Sequence, residues 1–224
     1  QKSRPSIKPF PNNYTLYILY MGMPADPTSK AWYVMRALYG HEQKAQAVFN
    51  NDGIESFIPM AIEEKTVRGK KTTVERPAVN NLIFVHASRH ELEPYMKHNR
   101  FLQFIFGKGG RQSGIMTIPD KLMHDFITLS RSRIGNPLFL TDDQLTATRG
   151  THVRVTAGPL EGVEGTLMKI SGTRSKRLVV QLRGIAAVAS EVPQEQLEES
   201  TTPVRQVKAL QNAMQVNDTA LRCR

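Results

Sequence analysis

Cysteine is all but missing: Cys223 is the only one in 224 residues, which excludes an internal disulfide and a thiolate zinc site and suits a reducing, cytoplasmic setting. No apolar run approaches the roughly 18 residues that a membrane-spanning helix needs, so the reading is a soluble chain. Nucleophile motifs are lacking too, with no Gly-x-Ser-x-Gly elbow anywhere. The Gly107-Lys108-Gly109-Gly110 stretch has neither the spacing nor the following hydroxyl of a phosphate-binding P-loop, and reads as a flexible hairpin loop. Of six histidines only His86 and His90 are four residues apart, across an expected strand end and loop, where they do not share the helical face of a metal pair. Glu63 and Glu64 are neighbours in an expected strand, so they point to opposite faces and do not cooperate as acid and base. These absences point away from an enzyme and from a resident metal or cofactor.

Positive charge is what the chain does have. Its 30 Lys and Arg outnumber 20 Asp and Glu, for a net +10, and such an excess attracts polyanions or simply keeps a protein soluble. The distribution is uneven. Residues 30–136 carry 16 basic and 10 acidic side chains, a net +6, whereas 150–198 carry 6 and 5, a net +1.

Hydropathy patterning divides the chain into five parts. Residues 1–30 hold five prolines around one apolar run from Tyr14 to Met21, which reads as an extension with one short strand. From 31 to 131 the pattern is β-α-β-β-α-β followed by a helix. That order predicts an α+β fold, an α/β sandwich on an antiparallel sheet. Its expected pieces are a strand over 32–36, a helix ending at Asn51-Asp52-Gly53, strands over 55–66 and 72–85, and a strand over 102–106. Ser88 and Glu91 have capping-box spacing, but Pro94 conflicts with a helix there and moves its expected start toward Glu93. A last helix opens at Pro119 with Leu122, Phe126 and Leu129 on one stripe. Residues 132–149 read as a linker. Short strands with regular glycines over 150–198 predict a small five-stranded β-barrel, and 199–224 form a polar tail with a weak helical stripe.

Two features within 31–131 invite functional readings. Lys65, Arg68, Lys70, Lys71 and Arg76 place five cations within twelve residues around a Gly69 tip. A projecting basic hairpin reaches phosphates without opening the core, and a merely solvated hairpin has the same composition. Residues 78–84 with Trp32 form either an exposed apolar patch for a partner helix or plain core.

Several segments then resemble one family in the right order. Trp32-Tyr33-Val34-Met35-Arg36-Ala37-Leu38-Tyr39-Gly40-His41-Glu42, Ile58-Pro59-Met60, Val67-Arg68-Gly69-Lys70-Lys71, Leu82-Ile83-Phe84-Val85 and Phe104-Ile105-Phe106-Gly107 resemble the N-terminal domain of NusG-like transcription elongation factors. Residues Val153 to Gly165 are similar to a KOW motif, which implies an SH3-like form for the expected barrel. The middle segment resembles operon-specific paralogues of the RfaH type and the UpxY-like antiterminators of Bacteroides capsular loci.

The resemblance implies a monomeric antitermination factor whose first domain binds the clamp helices of RNA polymerase, through positions matching Trp32, Val79, Leu82 and Phe84. It implies contact with non-template DNA or nascent RNA, for which Arg36 and Arg100 are the nearest matches beside Arg68, Lys70, Lys71 and Arg76 of the hairpin. It also implies recruitment of Rho or ribosomal protein S10 through Leu160, Val163, Arg183 and Ile185 on the KOW domain. Refolding of that domain into helices, as in RfaH, is disfavoured here by Pro159, at about 3 kcal/mol, and by glycines at about 1 kcal/mol each. KOW barrels also occur in ribosomal proteins, so a translation-associated RNA-binding protein is the alternative reading.

Overall fold

A computed structural model describes residues 28–67, 70–107, 110–132, 137–140, 145, 150–182 and 184–200. Arg68, Arg183, the expected strand over 14–21 and the expected helical stripe beyond 204 lie outside the described residues.

The first unit is built on one antiparallel sheet. Its strands are β1 (Lys30–Ala37), β2 (Glu55–Phe57), β5 (Leu82–Ser88), β6 (Leu102–Phe104) and β7 (Thr117–Ile118), in the order β2-β5-β1-β6 with β7 also on β1. The helices are α1 (Glu42–Asn51), α2 (Arg89–His98) and α3 (Asp120–Arg131). Strand β1 alternates between two cores, as a period of two requires. Tyr33, Met35 and Ala37 pack with Ala45, Phe49 and Leu92, under α1 and α2. Trp32 and Val34 pack with Phe84 and Phe126, under α3. Helices on both faces explain why Leu82 to Val85 are all buried.

The two long strands expected over 55–66 and 72–85 are each broken. Strand β2 stops before Ile58-Pro59, and β3 (Met60–Val67) leaves the sheet to pair with β4 (Lys70–Pro77). Proline cannot donate to a ladder, and the breaks at Pro59 and after Pro77 face each other, with Ala78 N–H donating to Pro59 O at 2.8 Å. Helix α2 starts at Arg89, four residues before the start that Pro94 suggested. Ser88 accepts from Glu91 N–H at 3.2 Å, and the Glu91 carboxylate takes Ser88 N–H at 2.7 Å, a bond that holds Glu91 below its usual range. Pro94 is on the exposed side, so the carbonyl that it leaves without a donor is on the solvated face. Tyr95 ties α2 to the end of α1 by donating to Asp52 at 2.5 Å, a bond that pushes its hydroxyl up to about 12.

The second unit is a six-stranded antiparallel sheet: β8 (Leu138–Leu140), β9 (Thr151–Val155), β10 (Glu164–Lys169), β11 (Lys176–Leu182), β12 (Ala186–Ser190) and β13 (Leu197–Glu199). Their order is β13-β9-β10-β11-β12-β8. Strands β9 to β12 lie within 150–198, where a five-stranded barrel was expected, and β13 runs one residue beyond it. The sixth comes from the stretch read as linker, where Leu138-Phe139-Leu140 pairs with Ala189-Val188-Ala187. Because β8 takes the outer edge of β12, the described pairings leave the sheet open and do not close a barrel. Gly165 permits the close approach of β10 to β11: a Cβ there would lie 2.6 Å from Val179 O.

Helix α3 belongs to both units. Phe126 meets Phe57 and Phe84 edge-on, at centroid distances of 6.3 and 5.9 Å. Met123, Phe126 and Leu129 share one buried cluster with Leu160, Val163, Leu178 and Val188 of the second sheet. Among the described residues no helix is long and apolar enough to cross a membrane.

Candidate nucleic-acid interface

Strands β3 and β4 form a two-stranded sheet of their own, and the register distributes their charges. Ile62 faces Glu75, Glu63 faces Val74, Glu64 faces Thr73 and Lys65 faces Thr72. One face therefore carries Ile62, Glu64, Glu75 and Lys71. The other carries Glu63, Lys65, Lys70 and Arg76. Lys71 pairs with Glu64 at 3.5 Å and Arg76 with Glu63 at 3.8 Å, so two of the five cations already have carboxylate partners within the hairpin. These pairs are exposed and contribute little stability, yet they lower the charge offered to a ligand. Lys65 and Lys70 are on one face and enter none of the ion pairs among the described residues. Counting cations over 65–76 overlooked Glu63 and Glu64 because their influence comes through cross-strand register. Those two carboxylates do point to opposite faces, each with its own cation.

A second candidate surface is at the turn between β1 and α1. Tyr39 and Gly40 have φ of 63° and 70°, and Asn81, just before β5, has φ of 59°. Asn81 is the hub of this turn: Gly40 N–H donates to Asn81 Oδ1 at 3.2 Å, Ala37 N–H to Asn81 O at 3.0 Å, and Asn81 N–H to the buried Glu42 carboxylate. A tyrosine in this backbone region is uncommon. Here it leaves the ring 84% exposed.

Around this turn lie further aromatic and basic groups. His41 is edge-on to Phe101 at 5.0 Å, Tyr39 is edge-on to His41 at 6.3 Å, and Lys44 Nζ is 5.4 Å from the Phe101 ring centre. Leu38 N–H donates to Phe101 O at 2.9 Å, which sets the turn beside the segment bearing Arg100. Arg36, at the end of β1, and Arg100 are both exposed. Aromatic rings interleaved with cations suit unstacked bases and a phosphate backbone. Sequence reasoning reached the two arginines but missed Tyr39. The available signal was Tyr39-Gly40 opposite Asn81, residue types that tolerate positive φ.

Trp32, Leu82 and Phe84 are in the core, with Trp32 only 5% exposed. The alternation of β1 and β5 turns all three toward α3. Val79 is half-buried against the same cluster. Trp32 stacks on His86 at 5.1 Å, and the two ring nitrogens of His86 face Glu55 at 3.6 Å and Asp120 at 3.8 Å. His90 is exposed on α2, so the two histidines are not a pair. Among the described residues no group of three His, Cys, Asp or Glu is placed to hold a metal ion.

On the second sheet Leu160 and Val163 are buried, and Ile185 packs against the cluster shared with α3. The polar part of this junction is Lys121, whose Nζ holds both Asp125 oxygens at 2.6 and 2.7 Å and donates to Gly162 O at 2.9 Å. Burial pushes the Asp125 carboxyl up, against the opposing pull of Lys121 and of the Glu164 N–H that it accepts. Burial likewise raises Glu164 and lowers His152, the latter against the Asp125 charge.

Residues 30–127 match the family model described as transcription termination factor nusG. The matched stretch begins at β1 and ends within α3, so the likeness to that family is confined to the first unit.

Proposed function

We propose that this protein is a non-enzymatic transcription elongation and antitermination factor, working where RNA polymerase holds exposed nucleic acid. The observation that carries the reading is the coincidence of the NusG family match over 30–127 with the two basic surfaces of that same unit. The first unit binds the clamp helices of polymerase and favours its pause-resistant form, which requires tighter binding to that form than to the paused one. Val79 and the 68% exposed Ile62 supply apolar contact. Trp32, Leu82 and Phe84 act from behind, as the packing that fixes the surface. Arg36, Arg100 and Tyr39 take non-template DNA or nascent RNA, and the Lys65 and Lys70 face of the hairpin, with Arg68, lies along phosphates.

The second sheet, read as a KOW domain, recruits a further factor of the Rho or ribosomal protein S10 kind through Leu160, Val163, Arg183 and Ile185. Leu160 and Val163 are buried, so recruitment through them requires their uncovering. The operon-specific RfaH or UpxY-like character belongs to this proposal too. Copurification of the full chain with polymerase core, followed by elongation assays on a pausing template, tests the reading. Stable association with shortened pauses is expected, and no association at micromolar concentration overturns it.

A further inference from the structure

The near-neutral charge of 150–198 hides a strong local asymmetry. Four of its six cations, Lys169, Arg174, Lys176 and Arg177, fall within nine residues that contain no acid. The register of β10 and β11 sets Lys169 directly opposite Lys176, an arrangement of like charges that works against strand pairing. Both lysines and Arg174 are exposed, and none enters the ion pairs among the described residues.

The surrounding groups make a firm base for these three cations. Arg177 is buried and donates to Glu191 at 2.8 Å, and Ser175 Oγ donates to the same carboxylate at 3.2 Å. Thr173 Oγ1 bonds Ile170 O at 2.7 Å and Ser175 O at 3.1 Å, closing the turn over the buried Ile170. The turn is thus held by its own hydroxyls while its ammonium and guanidinium groups point outward.

We propose that the β10–β11 turn is a phosphodiester-binding site, at which Lys169, Arg174 and Lys176 contact the backbone of a nucleic-acid strand. Residues 163–190 contain no aromatic side chain, so the turn offers no stacking platform and reads charge, not bases. An acidic protein partner fits less well. Ile170 is buried and Met168 is packed into the sheet, which leaves no exposed apolar side chain beside the cations to give such a partner specificity. This site is separate from the surfaces of the first unit and does not depend on polymerase binding.

The test uses the full chain and labelled oligonucleotides of about 15 residues, as single-stranded RNA, single-stranded DNA and duplex DNA, titrated from about 50 to 200 mM salt. In K169E/K176E, affinity at the lowest salt is expected to fall about tenfold or more, and the slope of log affinity against log salt to drop by about 1.5 to 2. K169R/K176R is expected to keep the wild-type slope, with thermal stability of both variants unchanged. A loss confined to the RNA arm identifies an RNA strand as the ligand, and a loss confined to the duplex identifies DNA. An unchanged slope in K169E/K176E overturns the proposal. So does displacement of the oligonucleotide by polyglutamate at equal charge.

Discussion

Glu42, in the first turn of α1, accepts the backbone N–H of Asn81, 39 residues away at the entrance to β5. The carboxylate is almost wholly buried. A charge in that position is tolerated only when hydrogen-bonded, so the bond fixes where α1 meets the central strands. It also anchors the left-handed Asn81, whose side chain in turn takes Gly40 N–H. The exposed ring of Tyr39 is thereby presented by three interlocked residues.

Asn81 contributes in two ways that substitution separates. In Asn81→Gly the backbone stays at ease with positive φ and one neutral hydrogen bond is lost, for an expected cost of about 1 kcal/mol. Asn81→Ala loses the same bond and adds a left-handed penalty of about 1 kcal/mol or more. Denaturant unfolding followed by the fluorescence of Trp32, the only tryptophan, is expected to order stability as wild type, then N81G, then N81A. Equal stability of the two variants would show that backbone conformation contributes nothing here.

Tyr39 makes opposite predictions for stability and binding. Tyr39→Gly removes a bulky residue from φ of 63° and is expected to leave stability unchanged or raise it by up to about 1 kcal/mol. The same change removes a stacking surface worth about 1 to 3 kcal/mol per base. Single-strand binding is expected to weaken from several-fold to about a hundredfold. Melting and anisotropy on the same preparation check both signs. Loss of stability together with binding would instead assign Tyr39 to the fold.

Patterning was enough to place three helices and an antiparallel sheet, because Trp32 to Met35 is the short continuous apolar run of a buried strand and Leu122 to Leu129 carries a period of 3.6. Register was not legible. Whether Glu64 neutralises Lys71, or Lys169 opposes Lys176, depends on which residue of one strand faces which of another, and linear charge counts average this away. The apolar stretch at 79–84 was ambiguous for a related reason: a strand covered on both faces has no polar side to mark which residues a partner would meet. The β8 strand was hidden inside a polar stretch, with only three residues, Leu138 to Leu140, to signal it. Pro94 misled because its cost depends on exposure, which a sequence does not display.

The hairpin pairings predict a gain as well as a loss. Replacing Lys65 and Lys70 by Glu is expected to reduce the salt dependence of nucleic-acid contact by about 1.5 to 2 in slope. Glu64→Gln frees Lys71 from its carboxylate and is expected to strengthen contact severalfold at low salt, with stability changed by less than about 0.5 kcal/mol. A titration of both variants distinguishes a phosphate-binding face from a merely solvated hairpin. If neither variant shifts the salt slope, the hairpin does not touch nucleic acid.

The junction between α3 and the second sheet carries opposed pH dependences. His152 is held below its ordinary 6.5, so on acidification the unfolded chain takes up this proton first, and stability falls as pH drops through the interval below 6.5. Asp125 and Glu164 are held above their ordinary 3.8 and 4.5. There the folded chain takes up the proton first, so stability rises as pH drops through the interval just above those values. The two effects together predict a shallow minimum between the carboxylate and imidazole ranges, visible in denaturant midpoints measured across pH. His152→Gln is expected to remove the fall on the imidazole side. Asp125→Asn is expected to diminish the recovery on the acid side, at a cost near neutrality, because Lys121 loses a carboxylate that it grips at 2.6 Å. If the H152Q profile matches that of the wild type, the imidazole is not what couples this junction to pH.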